Sequence, residues 1–157
     1  MFSQTTEYAL RIMVYLGGVK DAPATNRQIS AATQIPPGYL AKILQLLSRH
    51  GLVRSQRGLH GGSTLAASAK SITLMQVVSA VEPLRRITGC PLSIAAHGKS
   101  LCPLHKRLDE TISAVQHVLE STRISDLIGG NLRQATPLCV LRESNARNTG
   151  RRKTRRG

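Results

Sequence analysis

The stretch "IPPGYLAKILQLLSRHGLVRSQRGLHGGSTLA", Ile35 to Ala66, decides the fold. Leu40, Ile43, Leu44 and Leu47 recur at three- and four-residue spacing. That spacing draws one apolar face on a helix, opened by the prolines and stopped by Gly51. Proline suits a first helical turn because its missing N–H would have no partner there. "LVRSQ" reads as a strand, "RGLHGG" as a glycine-rich turn and "STLAAS" as a returning strand. A basic β-hairpin directly after an amphipathic helix is a wing. Just upstream, "TNRQISAAT" places Thr25 and Gln28 at capping-box spacing. It predicts a short helix with Ile29 and Ala32 inward. Two short helices joined by a tight turn, the second richer in exposed basic residues, form a helix-turn-helix.

Working outward, Thr5 to Leu16 carries Ala9, Leu10, Ile12, Met13 and Leu16 at helical spacing, and Gly17-Gly18 is expected to end that helix. "TLMQVVSAVEP" is a helix capped by Thr73, with Gln76 three residues on, and stopped at Pro83. Thr88 to Leu101 reads as loop. From Pro103 a long amphipathic helix carries Leu104, Leu108, Ile112, Val115, Val118 and Leu119, and "ISDLIGG" adds one turn. The fold class expected is mainly α with a small β-hairpin wing. It divides into a winged helix-turn-helix domain over 1–82, a linker and cysteine-bearing sensing loop over 83–102, a long dimerisation helix over 103–128, and a basic, disordered tail over 129–157.

Composition narrows the function. The 157 residues are 41% hydrophobic with no Trp, so the core must be built from Leu, Ile, Val and Ala. The net charge is +14, and the last eleven residues hold six basic and no acidic side chains. Such a balance favours a polyanionic partner. Nucleic acid fits better than a membrane surface, because no basic amphipathic face carries aromatic anchors. No run approaches the ~20 apolar residues that span a bilayer. The opening "MFSQTTEYAL" lacks the basic and apolar segments of a secretion signal, and three cysteines do not make a disulfide framework. A reducing cytoplasm is the expected location. An enzyme is not expected: there is no phosphate-cradling glycine loop and no nucleophile–base constellation. Readers of single-stranded RNA need stacking aromatics, and this chain has only three Tyr and one Phe.

On the helix from Pro37, Gly38, Tyr39, Ala41, Lys42 and Gln45 are expected to face outward, where its N-terminal part reaches base edges in the major groove. Lys42 can donate to guanine O6/N7, and Gln45 to adenine or phosphate. Thr25, Gln28 and Arg49 complete the DNA-facing set. Arg54 and His60 are expected at phosphates and Arg57 in the minor groove, where a narrow A-tract attracts arginine. A plainer reading makes Lys42 and Arg49 an ordinary solvated face and packs Tyr39 against the first helix.

"TTEYALRIMVYL", the opening stretch and "ITLMQVVSAVEP" together resemble the Rrf-two family of bacterial winged-helix regulators, with its iron–sulfur-assembly (IscR-type) and nitric-oxide-sensing (NsrR-type) branches. The resemblance covers residues 1 to 128. It implies a homodimer joined through the long helix and bound to a pseudo-palindromic operator in double-stranded DNA, with a matching wing arginine at Arg57. The function it implies is a transcriptional regulator, read as a repressor, that answers an iron–sulfur cluster or a redox, nitric-oxide or iron signal. The alternative is a cluster-free regulator of the same family, answering a small molecule or a partner protein.

The family also bears on "CPLSIAAHGKSLCPLH", Cys90 to His105. Cluster-binding members place three cysteines here; the first and third match Cys90 and Cys102, and Ala96 stands at the middle position. His105 matches a ligand of the assembly branch, and Glu7 stands where nitric-oxide sensors carry an acidic ligand donated by the partner subunit. The resemblance thus implies a 2Fe–2S cluster on Cys90, Cys102, His105 and Glu7, with His97 as an alternative fourth ligand. Histidine can replace cysteine on one iron of such a centre. Three other readings stay open. Zinc would accept the same donors tetrahedrally, a thiol at a helix N-terminus could act as a redox switch, and the cysteines could be small buried hydrophobes. Cys139, in the tail, is expected to play no part.

Overall fold

The first helix, α1 (Gln4–Gly18), starts where the Ser3 side chain accepts the Thr6 N–H. It buries Thr6, Ala9, Ile12, Met13 and Leu16. The structure, a computed structural model, describes residues 2–19, 23–58, 61–89 and 101–128. His60, Cys90, Ala96, His97, Cys139 and the basic tail lie outside the described residues.

α1 stops where the sequence places its end: Gly18 is its last residue, and Gly17 lies within its final turn. A Cβ at Gly17 would stand 2.5 Å from Ile128 Cδ1 and 3.1 Å from Ile124 Cγ2. Gly17 therefore serves close helix approach as well as lying at the helix end.

Helix α2 (Asn26–Thr33) has the full capping box: Thr25 accepts the Gln28 N–H, and the Gln28 side chain accepts the Thr25 N–H. Ile29 is buried, while Ala32 is only half-buried. Thr33 is buried as well, its hydroxyl donating to Ile29 O at 2.7 Å. Gln34 makes the turn with φ 58°, and α3 (Pro37–Arg49) follows. Leu40, Ile43, Leu44 and Leu47 are all buried, as their spacing requires. Gly51 turns the chain with φ +69°.

Strands β1 (Val53–Gln56) and β2 (Gly62–Leu65) pair antiparallel, with Val53 opposite Leu65 and Gln56 opposite Gly62. Ala24 and Ser63 exchange backbone hydrogen bonds of 3.0 and 2.8 Å, which ties the hairpin to the segment before α2. Gly62 permits that approach, since a Cβ there would meet Ala24 O at 2.8 Å. Helix α4 (Leu74–Val81) carries a second capping box, Thr73 with Gln76. Ile12, Met13, Ile35, Leu40, Leu47 and Val77 are each no more than 1% exposed and join α1, α3 and α4 in one core.

Helix α5 (Pro103–Ser121) is built differently. Leu119, near its C-terminal end, is its one buried residue. Leu104, Leu108 and Val118 are 64%, 46% and 59% exposed. Backbone hydrogen bonds tie the end of α5 back to the winged unit: Leu74 N–H donates to Thr122 O at 3.0 Å, and Ile124 N–H to Ile72 O at 3.0 Å. The last element, α6 (Ile124–Ile128), lies against α1 at Gly17. Among the described residues no helix is long and apolar enough to cross a membrane.

Candidate nucleic-acid interface and sensing site

The face of α3 opposite its leucines carries Gly38, Tyr39, Ala41, Lys42, Gln45 and Arg49, all exposed. The sequence folds this way because the buried residues follow a helical period, which leaves the intervening positions to solvent. A groove of about 630 Å³ separates α3 from the hairpin, with Asn26, Gln45, Ser48, Arg49 and Gln56 among its walls. Arg54 lies on β1 and Arg57 just after it, both exposed. Of the expected basic and polar set, Gln45 and Arg49 line the groove, while Lys42, Arg54 and Arg57 are exposed on the helix and hairpin beside it.

Three side chains of the expected DNA-facing set already have intramolecular roles. Thr25 and Gln28 are exposed but engaged with each other: Gln28 Oε1 accepts from the Thr25 N–H and hydroxyl, both at 2.8 Å. They cap the N-terminus of α2, with Gln28 engaged through its acceptor oxygen. Tyr39 stacks edge-on against Tyr8 of α1, ring centroids 6.4 Å apart at 69°, while staying 55% exposed. The groove also adds Asn26, Ser48, Ser55 and Gln56, which no apolar period singles out.

At the other end, Cys102 is the N-cap residue of α5. Its Sγ lies 3.2 Å from His105 Nδ1. The i, i+3 spacing puts both on one face of the first turn. Among the described residues no third His, Cys, Asp or Glu joins them. Glu7 is exposed on α1 and pairs with Arg11, Oε1 to Nη2 at 2.6 Å, so in this protomer its carboxylate is occupied by its own helix.

The segment between α4 and the sensing loop is pinned along α5. Leu84 O accepts from Gln116 Nε2 at 2.8 Å. Arg86 Nη1 donates to Ser113 Oγ at 3.1 Å, and its Nε donates to Asp109 Oδ1 at 2.6 Å while Nη2 grips Oδ2. The Ile87 N–H also donates to Asp109 Oδ1, at 2.9 Å. The Arg86 guanidinium holds the Asp109 carboxyl below the usual carboxylate range, helped by the Ile87 amide. At the start of the same segment, the Ser3 and Thr6 side chains and the Ser3 amide hold the Glu82 carboxyl low as well. Thr6 Oγ1 donates to Glu82 at 2.8 Å.

A family model described as Rrf2, iron-dependent transcriptional regulator, matches residues 2–130. The chain belongs to the Rrf2 family. The HTH-type transcriptional regulator NsrR of Geobacillus kaustophilus is 33% identical over 129 residues, 78% of this chain and 86% of the relative. The structure of CymR, the global cysteine regulator of B. subtilis, matches with a TM-score of 0.68 at 25% identity, over 82% of this chain and 95% of that one. IscR of T. potens matches in fold, with a TM-score of 0.68 at 19% identity, over 82% of this chain and 85% of that one. The Rrf2 likeness confirms the winged-helix fold, and these relatives are transcriptional regulators rather than enzymes. The Cys102–His105 pair sits on the first turn of the helix whose apolar stripe is open.

Proposed function

We propose that this Rrf2 regulator binds a pseudo-palindromic operator as a homodimer and represses transcription from it. Its operator affinity would be switched at the Cys102–His105 end of α5 by a 2Fe–2S cluster. The observation that carries the switch is the Cys102 Sγ–His105 Nδ1 approach of 3.2 Å, on a helix whose roughly opposite stripe, Leu104, Leu108 and Val118, is exposed. A single tetrahedral metal holds a sulfur and a nitrogen about 3.5 Å apart. The pair therefore stands at chelating distance, and the donor types fit a centre that accepts both Cys and His. Cys90 would add the second thiolate, and Glu7 of a partner subunit or His97 the fourth donor. When bound, the cluster supplies iron that changes charge on oxidation and reacts with nitric oxide.

The rest is work for the chain's own residues. The exposed stripe of α5 pairs two copies, and the two α3 helices then address half-sites about 34 Å apart, one turn of DNA. Lys42 and Gln45 reach base edges, Arg57 enters the minor groove, and Arg49 and Arg54 meet phosphates. The basic tail adds affinity that does not depend on sequence, through counterion release. An effector moves this equilibrium only by its differential affinity for two arrangements of the winged units. Because both recognition helices must fit one spacing, a small change in that arrangement weakens both contacts together.

Anaerobic purification followed by an absorption spectrum and iron and sulfide analysis tests the switch. Cys90→Ser and Cys102→Ser should each abolish visible absorption, while Cys139→Ser should keep it. Colourless, iron-free protein whose DNA binding ignores Cys102→Ser would overturn it. Ala96 at the middle ligand position favours a second reading, a cluster-free regulator answering a small molecule or a partner protein. That reading wins in the same outcome.

A further inference from the structure

Helix α5 has two stripes. Cys102, His105, Asp109, Ser113 and Gln116 recur at three- and four-residue steps and share one side. Leu104, Leu108 and Val118 lie roughly opposite and are exposed. The polar stripe already has a partner, because the linker from Leu84 to Ile87 runs along it antiparallel. Its contacts descend in register: Leu84 to Gln116, Arg86 to Ser113 and Asp109, Ile87 to Asp109. The lengths agree. Seven helical residues rise about 10 Å, and three extended residues span about 10 Å. The linker is therefore nearly straight, laid along the helix toward the end that carries Cys102 and His105.

Burial shows why this matters. Leu119 is the only residue of α5 that is buried. The backbone bonds from Leu74 and Ile124 that tie α5 to the winged unit lie at that same C-terminal end. A helix held at one end can swing, whereas a second attachment along its length fixes its direction. The second attachment is the fork between Arg86 and Asp109. Asp109 lies thirteen residues before Thr122, about 20 Å along the helix. Both Asp109 oxygens are taken by the guanidinium, and Oδ1 accepts the Ile87 amide as well. The Asp109 side chain is 14% exposed and Arg86 is 45% exposed. Arginine suits such a site because its planar fork matches a carboxylate at two points, which a lysine ammonium does not.

We propose that the Arg86–Asp109 fork sets the angle between α5 and the winged unit, and so selects the operator half-site spacing that a dimer accepts. Arg86 and Asp109 are positioning residues: they touch no DNA and act through the placement of α3. The inference rests on the homodimer reading above, with α5 as the shared contact, but not on any cluster.

The probe is a set of synthetic duplexes. The half-site is first selected by the wild-type full-length chain from random duplexes. It is then placed in pairs at the selected spacing and at one base pair more or less, and in one duplex as a single half-site. One base pair rotates a half-site by roughly a tenth of a turn. Wild-type protein should prefer the selected spacing by at least about fivefold, a typical coupling between distant sites. Arg86→Gln and Asp109→Asn should reduce that preference to less than about twofold, with single half-site binding unchanged and the dimer intact by sedimentation. A merely structural role would lower all four affinities together and leave the preference alone. Arg86→Lys, which keeps the charge but not the fork, is the second variant and should give an intermediate preference. Its protection of the Ile87 amide from hydrogen exchange should fall in parallel. Wild-type preference retained in Arg86→Gln and Asp109→Asn would overturn the fork while sparing the dimer. Absence of any spacing preference in the wild-type protein would overturn the dimer reading and the fork with it.

Discussion

The winged unit and α5 are both amphipathic, yet they are held by different forces. In the winged unit, α1, α3 and α4 turn Ile12, Leu40, Leu47 and Val77 inward until none is more than trace-exposed. Apolar burial of this kind is worth about 1.5–3 kcal/mol for each large side chain and needs no exact orientation. In α5 Leu104, Leu108 and Val118 face out, and a polar staple through Arg86, Asp109, Ser113 and Gln116 holds the helix in place. An ion pair of this type contributes little to stability, but it is directional. The contrast teaches that one region is built for permanence and the other for a definite but releasable position, as a reader of DNA and its adjustable mount would require.

The sharpest way to break this contrast is to make the same kind of change in each region. Leu40→Ala, in the sealed core, should cost about 2–5 kcal/mol, read as a lowered urea midpoint with an unchanged slope. Leu108→Glu, on the open stripe, should leave the helical circular dichroism intact and turn the dimer into monomers by analytical ultracentrifugation. If Leu108→Glu unfolded the chain instead, α5 would be core and the division between the regions would vanish. Smaller is the expected effect on DNA: Lys42→Ala should cost about 1–3 kcal/mol at the selected duplex if its ammonium reads a base. An equal loss on every duplex, measured by anisotropy, would move Lys42 to a phosphate. Removing residues 147–157 should weaken binding to all duplexes alike and flatten the salt dependence.

The weakest effect is that of acid. Asp109 and Glu82 have carboxyls held below their ordinary range. A depressed native pKa means that the unfolded chain takes up protons first as pH falls, so these groups stabilise the fold above the ordinary carboxylate range. That contribution fades as pH drops through the depressed native values. Asp109→Asn and Glu82→Gln should each flatten the acid limb of a stability profile measured by thermal unfolding, by lowering stability near neutral pH while leaving the acid end little changed.

The helices of the winged unit were readable in the sequence because burial imposes a period. The Leu40, Ile43, Leu44 and Leu47 period, the two capping boxes and Gly51 are each a signal contained within a few residues. What escaped reading depends on partners distant along the chain. Gly17 marks the end of α1 locally, but its second role, leaving room for Ile128, depends on a residue more than a hundred positions away. Arg86 and Asp109 are separated by 23 residues and follow no hydrophobic period, so the staple has no local signature. The site was legible in the same measure. Lys42, Gln45 and Arg49 are exposed because the helix period buries the residues between them, and Arg54 and Arg57 are exposed on the hairpin. The capping box of Thr25 and Gln28 is legible in their spacing, and the structure forms it. Cys102 and His105 come together because three residues make nearly one helical turn.

The edge-on contact between Tyr8 and Tyr39 has an optical consequence. The chain has no Trp and three Tyr, so tyrosine alone sets its ultraviolet emission. Two of those three rings meet where α1 touches the recognition helix, and Tyr39 is 55% exposed there. A duplex lying against α3 would screen that ring from water and place bases beside it, quenching the light the protein emits. The molecule thus carries an intrinsic gauge of whether its reading head is engaged, legible in a fluorimeter with no dye attached.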